Sequence, residues 1–203
     1  NIIIKFLAKN CQIKNLWLLH LEKLFLYDIS SKVSNLKHFT FTTNFQNSPI
    51  HVRENFLKLI KSQGYFESLN MMGCRDKQIL IQIWNEPKKF KKLFVIDCNF
   101  HVDLISHDLL KNLFVREIDF YLTSSLHVLF FLQNAPNIEE FKVRQLSKQV
   151  LEYSLVHLKQ LKLIKYQSID SDGLKYYNDH KNEHLKLKLK ELDFFEYLNI
   201  DKK

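Results

Sequence analysis

An apolar triad at offsets 0, 3 and 5 returns along almost the whole chain. It is clearest at Phe90, Leu93 and Val95, which Cys98 and Asn99 follow. It also occurs as Ile13/Leu16/Leu18, Leu36/Phe39/Phe41, Phe66/Leu69/Met71, Val115/Ile118/Phe120, Ile138/Phe141/Val143, Leu158/Leu161/Leu163 and Leu189/Leu192/Phe194. The first positions are 23, 30, 24, 25, 23, 20 and 31 residues apart, about 25 on average. A single short apolar pattern arises by chance, but a steady return marks a repeat architecture, in which neighbouring units stack to bury a face that none can bury alone. The second and third members of a triad lie two residues apart. They therefore share one face of an extended strand, and the residues between them point the other way.

The stretches between triads read as helices. The segment 53–63 puts Phe56, Leu57, Leu59 and Ile60 on one face. The segment 124–133 carries Leu126, Val128, Leu129, Phe130 and Leu132, and 103–112 carries Leu104, Ile105, Leu109 and Leu110. Ser124 and Ser147 can cap the helices that follow, because a hydroxyl accepts from an early backbone N–H. Pro87 and Pro136 sit just past apolar runs, where a helix must stop. In chain order, the pattern predicts an incoming helix at 1–9, strands at 11–20 and 36–42, a last helix and long loop within 168–185, and a final strand at 189–195. Asp170-x-Asp172-Gly173 lacks the remaining acidic positions of a calcium loop and reads as a helix N-cap.

Taken with Cys98 and Asn99, the triad matches L-x-x-L-x-L-x-x-C/N, and over residues 11–198 the chain resembles the leucine-rich-repeat family. It is closer to the longer, helix-bearing kind found in ribonuclease-inhibitor-like and F-box-associated arrays. The resemblance implies an α/β solenoid of about eight repeats, with a curved parallel sheet on the concave face and helices on the convex face. The turn position after the strand holds Cys74 and Cys98 or Asn99, but elsewhere Tyr121-Leu122, Leu146 or Tyr166, so the repeats are degenerate. We read residues 1–203 as one leucine-rich-repeat domain. Solenoid ends need polar caps, and apolar Ile2–Leu7 is not one, so the domain is expected to be the ordered part of a longer chain.

Composition argues against several functions. Three glycines leave no Gly-rich phosphate cradle, and the sequence motifs of nucleotide-binding, serine-hydrolase and zinc-protease sites are absent. No catalytic role and no cofactor is expected. Cys98-x-x-His101, with His107 nearby, lacks the second ligand pair that a zinc site needs, so no metal is expected. Three cysteines, an odd number, predict buried thiols in a reducing intracellular compartment, cytoplasm or nucleus. No apolar run approaches the roughly 18 residues of a membrane span.

Thirty Lys and Arg against 22 Asp and Glu give a net charge of +8. Basic clusters occur at Lys88-Lys89, Lys91-Lys92 and Lys186, Lys188, Lys190. Beside the triads, the residues expected to face outward include a largely apolar row: Leu19, Thr42, Met72, Ile96, Tyr121, Arg144, Ile164 and Phe195, with Trp17 and Phe94 next to it. At about 4.8 Å per strand this strip would be roughly 34 Å long. Exposed apolar strips mark protein contacts, with aromatics as anchors. The charges beside it are mixed: Glu117, Asp119, Glu140, Glu191 and Asp193 against Lys92, Lys142, Arg144 and Lys162. A phosphate backbone would require one sign. The expected function is therefore a non-catalytic scaffold or adaptor in a multi-subunit assembly, binding a partner protein through Trp17, Leu19, Met72, Phe94, Ile96, Tyr121, Arg144, Ile164 and Phe195. Two other readings are a basic ribonucleoprotein subunit touching nucleic-acid backbone through its Lys clusters, and the substrate-recognition part of an F-box-type ubiquitin ligase.

Overall fold

A computed structural model describes residues 13–19, 27–33, 35–42, 48–73, 75–86, 90–97, 111–181 and 187–193. The strands are β1 (Asn15–Leu19), β2 (His38–Thr42), β3 (Phe66–Met72), β4 (Phe90–Ile96), β5 (Glu117–Tyr121), β6 (Glu140–Leu146), β7 (Leu163–Ile169) and β8 (Lys188–Glu191). The helices among the described residues are α1 (Ile50–Ser62), α2 (Lys77–Trp84), α3 (Ser125–Gln133), α4 (Lys148–His157) and α5 (Ser171–His180). All eight strands form one open sheet in the order β1 to β8, and every neighbouring pair is parallel. Parallel neighbours need a crossover, and a helix fills it in five of the connections. No helix among the described residues is long and apolar enough to cross a membrane.

The pairing register places the triads in line. Leu16, Phe39, Leu69, Leu93, Ile118, Phe141, Ile164 and Leu189 form one row across the sheet. This corrects the last two units. The seventh triad is Leu161/Ile164/Tyr166 and not Leu158/Leu161/Leu163. In the eighth unit Leu189 is the central member instead of the first, with Glu191 beside Tyr166. The slip of three has a physical origin. Leu158, Leu161 and Ile164 are apolar at successive steps of three, so two frames compete, and burial of Tyr166 and Ile164 decides between them. The row spacings become 23, 30, 24, 25, 23, 23 and 25, more even than the sequence alone gave.

Aromatic side chains fill the space between this row and the helices. Phe39 lies 6.0 Å from Phe66, Phe41 5.0 Å from Phe56 of α1, and Trp84 of α2 5.3 Å from Phe131 of α3. Burying each such side chain stabilises by about 1.5–3 kcal/mol. α1 buries Val52, Phe56, Leu57, Leu59 and Ile60, the face that its spacing predicts. In α3 the buried residues are Val128, Phe130, Phe131 and Leu132, whereas Leu126, expected in the core, is exposed in the first turn.

Caps recur at one place in the unit. Asp76, Ser124, Ser147 and Asp170 each accept from a first-turn N–H of the helix that follows. Three residues before the first member of five triads lies a second recurring buried position, occupied by Val33, Gln63, Asn112, Ala135 and Leu158. Where it is polar, the side chain serves the backbone. Gln63 Nε2 donates to Val33 O at 2.9 Å, and its Oε1 accepts from Leu36 N at 3.0 Å. Asn112 Oδ1 accepts from Phe114 and Val115 N–H at 3.0 and 3.1 Å, while its Nδ2 donates to Trp84 O at 3.1 Å. Buried main-chain groups need such partners.

Strand exits recur as well. Gly73, Asp97 and Leu122 follow β3, β4 and β5, each in the left-handed region, at φ 60°, 47° and 51°. The turn keeps the ladder going for one more bond, from Gly73 N to Ile96 O at 2.8 Å and from Asp97 N to Tyr121 O at 3.0 Å. β6 and β7 lack this turn and run on as strands to Leu146 and Ile169. The helix expected at 1–9, most of that at 103–112, Cys11, Cys74, Cys98, His101, His107 and Phe195 lie outside the described residues.

Candidate interaction face

Because Leu93 and its row point into the core, the alternate residues of each strand form the other face of the sheet. Its chemistry changes from β1 to β8 in three zones.

Over β1–β3 the charged or titratable groups are at the strand entries, where Glu67 lies 3.7 Å from His38 Nε2. Trp17 is 69% exposed. His38 Nδ1 and Ser68 Oγ are hydrogen-bonded at 2.8 Å across the β2–β3 pair, and Asn70 Nδ2 donates to Thr40 Oγ1 at 2.9 Å. These hydrogen bonds tie cross-strand partners together.

Over β3–β5 the face becomes apolar and aromatic. Met72, Ile96 and Tyr121 are cross-strand neighbours, and all three are partly exposed. Phe94 sits beside them, its ring centroid 6.5 Å from that of Tyr121 and the planes 13° apart. Each ring carries an ammonium: Lys92 Nζ lies 4.8 Å from the Phe94 centroid, and Lys142 Nζ 4.9 Å from that of Tyr121. Such contacts contribute about 0.5–2 kcal/mol according to how dry they are.

Between the two lysines lies Asp119, paired to Lys92 at 3.3 Å. Asp119 and Lys142 are each only 3% exposed. Burial pushes the Asp119 carboxyl above the ordinary carboxylate range, against the pull of Lys92 and Lys142. Burial likewise pushes the Lys142 ammonium down, with Asp119 opposing it. Two desolvated opposite charges thus hold each other at the centre of the face.

Over β6–β8 the face turns basic. Lys142, Lys165 and Lys190 occupy one cross-strand row. Arg144 and Lys188 are exposed nearby. Glu140 supplies an anion and forms an ion pair with Lys165. Where the strands enter, a depression of about 530 Å³ is lined by Lys91, Arg116, Glu117, Glu139, Glu140, Lys162, Leu163 and Lys188. Its acids are matched: Glu117 pairs with Lys91 and Lys92, and Glu139 with Arg116 and Lys162. The Lys162 contact holds the Glu139 carboxyl below its usual range.

The expected binding residues divide accordingly. Met72, Phe94, Ile96 and Tyr121 come together on this face, Trp17 lies on it at β1, and Arg144 is exposed in β6. The Leu19 backbone pairs with Thr42 at the β1 edge. Ile164 is a correction: it is fully buried in the core row beside Phe141, because the seventh triad is shifted by three. The same shift moves Lys165 and Lys190 into the row where Lys162 and Asp193 were expected, so the basic zone escaped the sequence reading. The even spacing of 23 residues from Phe141 to Ile164 is the signal that would have found it.

Comparison with protein-family models, with curated proteins and with solved structures gives no match to this chain.

Proposed function

We propose that the chain is a leucine-rich-repeat solenoid that acts as a non-catalytic scaffold or adaptor subunit, binding a partner protein on the outward face of its sheet. The even unit length, the strictly sequential parallel order and the in-register triads support the repeat reading. Thr40, Asp119 and Lys142 belong to the outward rows yet are buried. Side chains crowd in this way when neighbouring strands converge, which favours a concave face. A reducing, intracellular setting remains the reading of the odd cysteine count.

One observation carries the binding role. Met72, Phe94, Ile96 and Tyr121 lie on three adjacent strands as a contiguous, partly exposed apolar and aromatic surface. Surfaces of this kind form the centres of protein interfaces, with charged groups at the rim. Phe94→Glu with Ile96→Glu tests it, since both side chains leave the core row untouched. The variant should keep the circular dichroism of the native chain and lose the protein that co-purifies with it. Retention of that protein by a folded variant would overturn the proposal.

Lys188 and Lys190, exposed on β8, favour a second reading, contact with a nucleic-acid backbone. Salt separates the two. Counterion release makes nucleic-acid affinity fall steeply with ionic strength, whereas apolar docking changes little.

A further inference from the structure

Among the described residues, two recurring slots of the repeat hold an exposed leucine in the β5–α3 unit alone. The first slot is the left-handed turn after the strand, filled by Gly73 after β3, Asp97 after β4 and Leu122 after β5. Leu122 is 65% exposed there. The second slot is the second residue of the helix. It is His51 in α1, Gln78 in α2, Gln149 in α4 and Asp172 in α5, all polar and exposed. In α3 it is Leu126, 59% exposed. Neither leucine serves the fold. The left-handed region crowds a Cβ against the following carbonyl, and a side chain left in water gains nothing from burial. The strained turn is nonetheless fixed. Thr123 Oγ1 donates a shared hydrogen bond to Tyr121 O at 3.0 Å and Val95 O at 3.3 Å, Asp97 N donates to Tyr121 O at 3.0 Å, and Ser124 caps α3. Strain held at a surface by a fixed frame marks functional positions. Leu122 directly follows Tyr121, so it borders the aromatic centre of the outward face.

We infer that Leu122 and Leu126 are anchors by which the partner protein's contact continues from Ile96 and Tyr121 over the strand exit onto the start of α3, and that the partner meets them with an uncharged aliphatic or aromatic surface. The inference rests on the protein-binding reading above and specifies the partner's chemistry. Charge decides that chemistry. From Phe120 to Ile138 the chain has no Lys, Arg, Asp or Glu, although these make up 26% of it. The His127 imidazole at the helix start is already hydrogen-bonded, through Nδ1, to Ser124 Oγ at 2.6 Å. A charged group of the partner placed here would lose its water without gaining a counter-ion. Exposed charge begins at the borders, with Asp97 after β4 and Arg144 in β6. A dry centre with a charged rim is the anatomy of a protein interface. A lipid surface fits less well, because peripheral membrane contacts combine apolar side chains with Lys and Arg.

The test isolates the protein that co-purifies with the native chain and titrates it against the native chain, Leu122→Asn, Leu126→Gln and Phe94→Glu/Ile96→Glu. Asn accepts the left-handed region, so Leu122→Asn should raise the melting temperature by about 2–4 °C. The same variant should bind about tenfold more weakly. A residue that served only the fold would move stability and binding in the same direction. Leu126→Gln should weaken binding by a smaller factor at an unchanged melting temperature. Both losses should be the same at about 0.1 M and about 0.5 M salt, because the contact is uncharged. Full affinity in both leucine variants beside loss in Phe94→Glu/Ile96→Glu would overturn this inference and leave the protein-binding reading standing. Full affinity in all of them, or no protein bound by the native chain, would overturn both. A Leu122→Asn melting temperature that falls with its affinity, a loss that vanishes in high salt, or sedimentation with phosphatidylserine vesicles that Leu122→Asn abolishes would also overturn the inference.

Discussion

The rings of Phe94 and Tyr121, on adjacent parallel strands, lie 13° from parallel with their centroids 6.5 Å apart, and each has a lysine ammonium within 5 Å of it. The lysines are Lys92 and Lys142, and Asp119 sits between them, paired to Lys92. The aromatic centre of the outward face is thus held by charges of which Asp119 and Lys142 are buried and Lys92 is partly exposed. Ordering the ring pair in advance would reduce the entropy lost on binding the proposed partner.

Neighbouring residues on β4 should behave in opposite ways. Leu93 is fully buried among Leu69 and Ile118, whereas Phe94 is part of the outward surface. Leu93→Ala should destabilise by about 2–5 kcal/mol through the cavity it leaves. Phe94→Ala should lose about 1 kcal/mol or less and instead weaken partner binding. Urea denaturation of both variants checks this; equal losses would mean that the alternation is misassigned.

Leu122 occupies the left-handed region at φ 51° and is 65% exposed, in the slot that Gly73 fills after β3. A side chain there costs about 1–2 kcal/mol relative to ordinary backbone. Leu122→Gly should therefore raise the melting temperature, and Gly73→Ala should lower it. Calorimetry of the pair tests the turn as a repeated element.

Gln63 and Asn112 each satisfy buried main-chain groups before a strand. Gln63→Leu should orphan the Leu36 N–H and the Val33 carbonyl at about 1–3 kcal/mol for each buried group left unpaired. Amide exchange at Leu36 should accelerate in parallel. Unchanged stability would show that these bonds do not hold the turn.

Acid should affect Asp119 in a defined direction. Its carboxyl titrates above the ordinary 3.8 in the folded chain because burial disfavours the anion. The folded state therefore holds this proton more tightly than the unfolded state, and the Asp119 contribution grows more favourable as pH falls from neutrality through the raised pKa toward 3.8. Asp119→Asn removes that gain. The native-minus-variant difference in urea midpoint should move in favour of the native chain on acidification across that window. A pH-independent difference would place Asp119 in a solvated site.

Much of the fold was legible because the triad carries its own test: apolar spacing, period and alternation all had to agree. The strands from Phe66 to Val143, the α1 face and the caps at Ser124 and Ser147 followed from it. The register failed where apolar residues continued at steps of three, at Leu158, Leu161 and Ile164, and burial of Ile164 and Tyr166 breaks that tie. That one slip sent Ile164 to the wrong face and hid the lysine row, since cross-strand neighbours depend on register and not on proximity in sequence. The left-handed turns escaped the sequence reading: Gly73 offers a signal for one, while Leu122 in the same slot gives none, because its strain is visible only in the backbone.

The most direct test places a photo-crosslinking benzoylphenylalanine at position 94 and, separately, at position 174, an exposed site on α5, and then irradiates the chain in an extract of its native source. The account predicts a discrete crosslinked protein from position 94, absent from position 174. A crosslink from position 174 alone, or from position 94 to nucleic acid, would contradict it.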